Sequence, residues 1–138
     1  MKIKNFALLA GVSGLLAACG GSSVVEPADL NNQRVFFAFN SAEISEEANN
    51  NLLGQSLYMK NHEGTKIQIA GNCDERGSTE YNLALGARRA NAAKKVLVKD
   101  GIAASRISTI SYGKERPLVK GTGEKVWKYN RNATTTVK

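Results

Sequence analysis

Residues 72–91 read NCDERGSTEYNLALGARRAN, a stretch that leads from an acidic loop into a helix with two adjacent arginines. The loop turns at Gly77. Asn82 and Arg89 lie seven residues apart, so they share one face of the predicted helix. Asp74 lies in the loop just before this helix. The stretch therefore places a fixed negative charge close to a fixed positive charge, an arrangement suited to binding a small zwitterion.

Strands and helices alternate on both sides of this stretch, which predicts a single α/β sandwich. Ser45 can cap a first helix, and Gly101 with Ile102 should end the long second helix in a Schellman motif. The predicted strands are 34–39, 66–70, 106–112 and 133–137, and the second and third helices are 79–100 and 124–129. The predicted core-facing stripe of the second helix is Leu83, Ala87, Ala90, Ala93 and Leu97.

The N-terminus has the pattern of a bacterial lipoprotein signal. Lys2 and Lys4 precede an apolar segment, 6–18, that is shorter than the ~20 residues needed to span a bilayer. It ends in LAAC at 16–19, which resembles a lipobox, so we expect cleavage before Cys19 and lipid on its thiol. Two or three acyl chains give a lasting membrane anchor. The alternative is an ordinary signal peptide followed by an incidental cysteine.

The chain is thus predicted to have three parts: the signal peptide 1–18, the lipidated N-terminus and flexible tether 19–33, and a folded domain 34–138. A tether of this length reaches at most about 45 Å. Removal of 1–18 takes away two lysines and no acid, so the formal net charge falls from +7 to +5 (7 − 2). This modest positive excess suits an anionic envelope and gives no reason to expect a nucleic-acid partner.

Cysteine and histidine content argues against redox and metal chemistry. With Cys19 lipidated, Cys73 is the remaining thiol, and we predict it to be a small buried residue in preference to a redox group. His62 is the single histidine of the sequence, and no metal-ligand spacing surrounds it. We therefore expect neither a metal site nor a cofactor.

Three motifs together carry a family resemblance: DERG at 74–77, RRAN at 88–91 and SYGKE at 111–115. With the order Asp, Gly, then Asn-x-x-Leu-Gly-x-x-Arg-Ala, they resemble the signature of OmpA-like peptidoglycan-binding domains over roughly 34–138. The resemblance implies a two-layer sandwich in which helices pack on one face of a mixed four-stranded sheet.

The resemblance also implies a ligand, the meso-diaminopimelate of peptidoglycan, whose free end carries an ammonium and a carboxylate on one carbon. Asp74 would accept from the ammonium, Arg89 would present its planar fork to the carboxylate, and Asn82 would support them, while Arg88 faces elsewhere. Other interpretations stay open: a purely structural Asp74–Arg89 salt bridge, an Asn82 that only fixes the loop, or a solvated turn.

By the same resemblance, the protein is expected to be a non-catalytic lipoprotein of the outer membrane with its domain in the periplasm. The implied partners are peptidoglycan, the membrane through the N-terminal lipid, and TolB and other Tol proteins, with a role in cell division. One alternative is an OmpA-like envelope lipoprotein without Tol partners. Another is a cell-wall hydrolase that uses Cys73 with His62.

Two positions depart from the family pattern. The first strand ends in Phe39-Asn40 where the family has Phe-Asp, and residues 130–132 read Asn-Arg-Asn where it has Asn-Arg-Arg. Asn40 therefore removes a charge near the expected site, and Asn132 removes an arginine.

Overall fold

A computed structural model of the protein describes residues 24–138. The predicted signal peptide and the predicted lipidation site, Cys19, lie outside the described residues. In chain order the elements are β1 (Gln33–Phe36), α1 (Glu46–Asn61), β2 (Ile67–Asn72), α2 (Thr79–Lys99), a 3₁₀ turn (Ala104–Arg106), β3 (Ile107–Gly113), α3 (Glu124–Asn130) and β4 (Asn132–Val137). None of the helices within 24–138 is long and apolar enough to cross a bilayer.

The four strands form one mixed sheet in the order β1-β4-β2-β3. β4 is antiparallel to both β1 and β2, and β2 is parallel to β3. The parallel pair is joined by α2, the crossover helix that such a connection needs. This confirms the predicted two-layer α/β architecture with a mixed four-stranded sheet.

The helix ends follow the capping signals in the sequence. The Ser45 hydroxyl accepts from the Ala48 amide at 3.0 Å, as predicted. At the end of α2, the Ile102 amide donates to the Leu97 carbonyl at 3.0 Å while Gly101 takes a φ of 106°. This is the predicted Schellman motif, and Ile102 and Leu97 are both buried in the core.

The core-facing stripe of α2 differs from the prediction at its start. Leu83 is exposed, and the buried residues of the first turns are Asn82, Leu85 and Gly86. The reason is that this end of α2 borders a polar pocket, so the face that points inward carries an amide side chain before the apolar residues begin.

Two glycines bring α2 unusually close to β2. A Cβ atom on Gly71 would overlap the backbone oxygen of Gly86, and a Cβ atom on Gly86 would overlap the Ser111 hydroxyl. Helix and strand backbones are therefore in direct contact. Asp74 follows Gly71 by three residues and Arg89 follows Gly86 by three, so this contact fixes the distance between the loop and the helix that carry the predicted site.

The beginning of the described chain is packed against the domain. Leu30 is 0% exposed and belongs to the hydrophobic core. The Asn61 amide donates to the Glu26 carboxylate at 2.9 Å, and the backbone of Val25 lies against Gly54 of α1. The predicted boundary between tether and domain at residue 34 is therefore too late, because Leu30, with polar residues on either side of it, was not recognised as part of the core.

Candidate functional site

The residues predicted to bind the ligand line one pocket of about 270 Å³ at the N-terminal end of α2. Asp74 enters it from the loop after β2, and Asn82 and Arg89 from the inward face of α2. Its remaining lining residues are Phe39, Asn40, Cys73, Arg76, Gly77, Tyr81 and Leu85. The fold thus brings together all three predicted side chains, whereas Arg88 is exposed outside this pocket.

Arg89 is 1% exposed and is held by three backbone carbonyl oxygens. Its Nε donates to Ser41 at 2.8 Å, and its two terminal nitrogens donate to Asn72 at 2.9 Å and to Ala38 at 3.1 Å. Burial lowers the pKa of the guanidinium, and the charge of Asp74 opposes that shift. A guanidinium has five N–H donors, so two donors of Arg89 make no hydrogen bond to a backbone carbonyl of the described residues.

The carboxylate of Asp74 is 4% exposed and is paired with arginines other than Arg89. Its Oδ2 accepts from Arg76 at 2.8 Å and from Arg131 at 3.5 Å, and its Oδ1 accepts from the Arg76 amide and Nε. Burial alone would raise the pKa of this carboxyl, but the hydrogen bonds from Arg76 outweigh it and hold the pKa below its ordinary value. Within residues 24–138, the alternative of an Asp74–Arg89 salt bridge is not found.

Arg76 is stacked between two aromatic rings. Its guanidinium carbon lies 3.9 Å from the ring centre of Phe39 and 3.9 Å from that of Trp127 on α3. Trp127 also donates its indole N–H to the Glu75 carboxylate at 2.7 Å. Stacking and charge-assisted bonding together order the DERG loop, which excludes the interpretation of these residues as a solvated turn.

Arg131 joins three parts of the chain behind the pocket. Its Nε donates to the Phe37 carbonyl at 2.8 Å, and its terminal nitrogens pair with Glu124 at 2.8 and 3.1 Å. Neither Arg76 nor Arg131 was predicted to be part of the site. Arg76 lies in the DERG motif and Arg131 in the Asn-Arg-Asn sequence at 130–132, but nothing near Arg131 in the sequence indicates its contact with Phe37, 94 residues away.

Asn82 ties the DERG loop to α2. Its amide nitrogen donates to the backbone carbonyls of Arg76 at 2.8 Å and Ser78 at 3.0 Å. The Asn82 carbonyl accepts from the Cys73 thiol at 3.3 Å. Cys73 is buried, and that burial, with the nearby charge of Asp74, raises the pKa of its thiol.

The two departures from the family pattern have different surroundings. Asn40 lines the pocket with a φ of 59°, a left-handed conformation that asparagine adopts more readily than most residues, and it accepts a hydrogen bond from the Tyr81 hydroxyl. Asn132 is buried, and its Oδ1 accepts from Asn72 at 2.9 Å and Thr134 at 2.8 Å. The missing arginine is thus replaced by a neutral amide network.

Cys73 and His62 are not brought together by the fold. Cys73 comes directly after the last residue of β2. His62 caps the end of α1 and precedes the first residue of β2. The six residues of β2 separate these two ends by about 20 Å, too far for a nucleophile–base pair. Within the described part of the chain, no group of three metal-ligating side chains is found either.

The fold and the sequence are similar to those of known proteins. The sequence profile of the OmpA family matches residues 36–131, so the chain belongs to the OmpA family. Within it, the chain resembles the peptidoglycan-associated lipoproteins. It is 42% identical over 136 residues to the protein of that name from Mesorhizobium japonicum, covering 99% of this chain and 80% of the relative. The corresponding protein of Pasteurella multocida is 38% identical over 144 residues, covering 96% of both chains.

Solved structures agree with this likeness. The crystal structure of the peptidoglycan-associated lipoprotein from Burkholderia pseudomallei has a TM-score of 0.74 and 37% identity, covering 76% of this chain and 89% of that one. The C-terminal domain of Helicobacter pylori MotB has a TM-score of 0.71, covering 77% and 84%, but is only 18% identical. The MotB domain therefore shares the fold, whereas the lipoprotein also shares sequence.

Proposed function

We propose that this protein is a non-catalytic envelope lipoprotein that binds peptidoglycan through the pocket at the start of α2. The observation that carries the proposal is the buried Asp74 and the buried Arg89 on the walls of a single pocket. Membership of the OmpA family and the likeness to proteins named peptidoglycan-associated lipoprotein support it. The separation of Cys73 from His62 by the length of β2 speaks against the Cys73–His62 hydrolase that the sequence left open.

The ligand is the free end of meso-diaminopimelate. The two N–H groups of Arg89 not used by backbone carbonyls bind its carboxylate, and Asp74 binds its ammonium. A carboxylate has about four acceptor positions, and all four of Asp74 are used by Arg76 and Arg131. The ammonium must therefore displace part of the Arg76 contact. Lysine-type stem peptides lack the carboxylate and should bind weakly.

The pocket is tested by calorimetry with free meso-diaminopimelate and by retention on purified peptidoglycan of both chemical types. We expect binding to the diaminopimelate type, little binding to the lysine type, and no cleavage of muropeptides. Equal binding to both types would contradict the assignment of Arg89 to the ligand carboxylate. Release of cleaved muropeptides would instead support an enzymatic function.

The location follows from the N-terminal lipobox pattern. We propose lipid on Cys19, attachment to the outer membrane with the domain in the periplasm, and, by sequence resemblance, association with TolB and other Tol proteins in envelope integrity and cell division. Cys19→Ser should abolish acyl labelling and release the protein from the membrane fraction. Co-purification of TolB with the wild-type chain tests the partner, and its absence would favour an OmpA-like lipoprotein without Tol partners.

A further inference from the structure

The solvent-facing side of α2 carries cations that form no ion pair with any described residue. Arg88, Lys95 and Lys99 lie seven and eleven residues apart on one helical face, and Lys94 lines the same open cleft of about 770 Å³. No acidic residue occurs between 81 and 99. Within residues 24–138, none of these four side chains takes part in an ion pair. We call these four residues the basic outer face of α2.

Apolar groups lie among these cations. Ala92, Val98 and Ala104 line the same cleft, and Val98 is an exposed hydrophobic residue. The one acid close to the end of the helix, Asp100, is neutralised by Lys60 at 3.2 Å. Basic side chains around a shallow apolar floor match a surface with anionic groups above hydrocarbon, as in an anionic lipid bilayer.

The start of the described chain limits how far the domain can lie from a lipid anchor. Residues from Val25 to Leu30 are packed against the domain, beside α1, which contacts α2 in the same layer. Only five peptide steps separate Cys19 from Val24, and these span at most about 18 Å. The longer tether predicted from the sequence had allowed a distance of about 45 Å between anchor and domain. Val25, next to the first described residue, is 73% exposed.

From this charge pattern and this short connection we propose that the basic outer face of α2 docks on the anionic phospholipid surface in which the protein is anchored. The proposal rests on the proposed lipid at Cys19, which brings the face within reach of the surface potential. That potential falls off over a Debye length of about 8 Å at physiological salt. Each cation near an anionic surface strengthens binding about fivefold, so the face supplements the acyl chains and orients the domain.

The test uses the mature chain with Cys19→Ser, so that lipid insertion does not contribute, and sedimentation with vesicles. One vesicle type contains phosphatidylglycerol in phosphatidylcholine, and the other is pure phosphatidylcholine. We expect binding to the anionic vesicles alone. Lys95→Gln with Lys99→Gln should weaken it roughly 25-fold. Lys125→Gln with Lys128→Gln, two exposed lysines on α3, changes the net charge equally and should weaken it far less.

Several outcomes would overturn the proposal: equal binding to both vesicle types, equal loss in the two double variants, or loss of peptidoglycan retention instead of vesicle binding in the Lys95/Lys99 variant. The vesicle measurement does not depend on whether the pocket binds peptidoglycan. Asp74→Asn should bind anionic vesicles as the wild type does, and absence of acyl label on the wild-type chain would refute the anchor while leaving the vesicle measurement valid.

Discussion

Arg88 and Arg89 are neighbours in the chain, yet they belong to two surfaces of α2 that use positive charge in opposite ways. Arg89 is buried and held by three carbonyl oxygens in a pocket, whereas Arg88 stands among the lysines of the basic outer face. A buried cation in a fixed geometry gives chemical specificity at the risk of instability if its partners change. Exposed cations act collectively through long-range attraction that salt screens.

The largest difference between the two surfaces should appear on removing each arginine. Arg89→Ala leaves three carbonyls without donors, so we expect a loss of about 3–5 kcal/mol in the free energy of unfolding and no measurable binding of meso-diaminopimelate. Arg88→Ala should change stability by less than about 0.5 kcal/mol and leave that binding intact. Urea unfolding and calorimetry measure both quantities. Arg89→Lys keeps the charge without the fork, and normal ligand binding by this variant would contradict the role given to the guanidinium.

Asp74→Asn should have the next largest effect. A charged hydrogen bond is worth about 1.5–3 kcal/mol, so ligand binding should weaken roughly tenfold to a hundredfold. Because the folded-state pKa of Asp74 is lowered, its stabilising contribution is present above its unfolded pKa of about 3.9 and is lost as the pH falls further. The stability difference between wild type and variant should therefore shrink between about pH 5 and pH 2. A constant difference across that range would contradict the lowered pKa.

Arg76→Gln should change ligand binding less than Asp74→Asn does, and it should strengthen the binding. It frees acceptor positions on Asp74 that the ligand ammonium needs, so we expect meso-diaminopimelate to bind several-fold more tightly at a modest cost in stability. Trp127→Phe is the matched control, since it keeps an aromatic ring against Arg76 and removes only the indole donor to Glu75. Weaker ligand binding by Arg76→Gln would indicate that Arg76 instead orients Asp74 for the ligand.

Cys73→Ala should have the smallest effect on the pocket. The change removes one weak thiol hydrogen bond to the Asn82 carbonyl from a site that alanine nearly fills, so stability should fall by about 1 kcal/mol and peptidoglycan retention should stay nearly unchanged. Circular dichroism checks that the variant is folded. A folded variant that was no longer retained on peptidoglycan would show that Cys73 contributes to function.

Local signals in the sequence predicted the framework well. Ser45 caps α1, and Gly101 and Ile102 end α2, because each feature depends on residues within one or two helical turns. The positions of Asn82 and Arg89 on one face followed from helical periodicity alone. The family resemblance supplied the mixed sheet, whose pairing of β1 with β4 joins residues about a hundred positions apart and has no local signal.

The features that were not predicted depend on contacts between residues that are far apart in the sequence. Trp127 lies fifty-one positions after Arg76, and nothing near either residue indicates that they stack. Leu30 has polar residues on either side of it, at 29 and 31–33, so no periodicity marks it as a core residue. Leu83 was predicted to face the core because it is apolar at a suitable spacing, but the inward position there belongs to the polar Asn82. Where a helix borders a binding pocket, the inward-facing residues are selected for the pocket and not for packing in the core.

The contact between Gly71 and Gly86 has a consequence for how this domain could diverge. It holds β2 and α2 at a separation set by main-chain atoms. Lining side chains other than Asp74 and Arg89 can therefore be exchanged, to accept a different small zwitterion, while the frame around them stays constant. Any residue larger than glycine at either position would instead push the loop away from the helix. Substitutions should accordingly be tolerated at Asn40 and Tyr81 far more readily than at these two glycines.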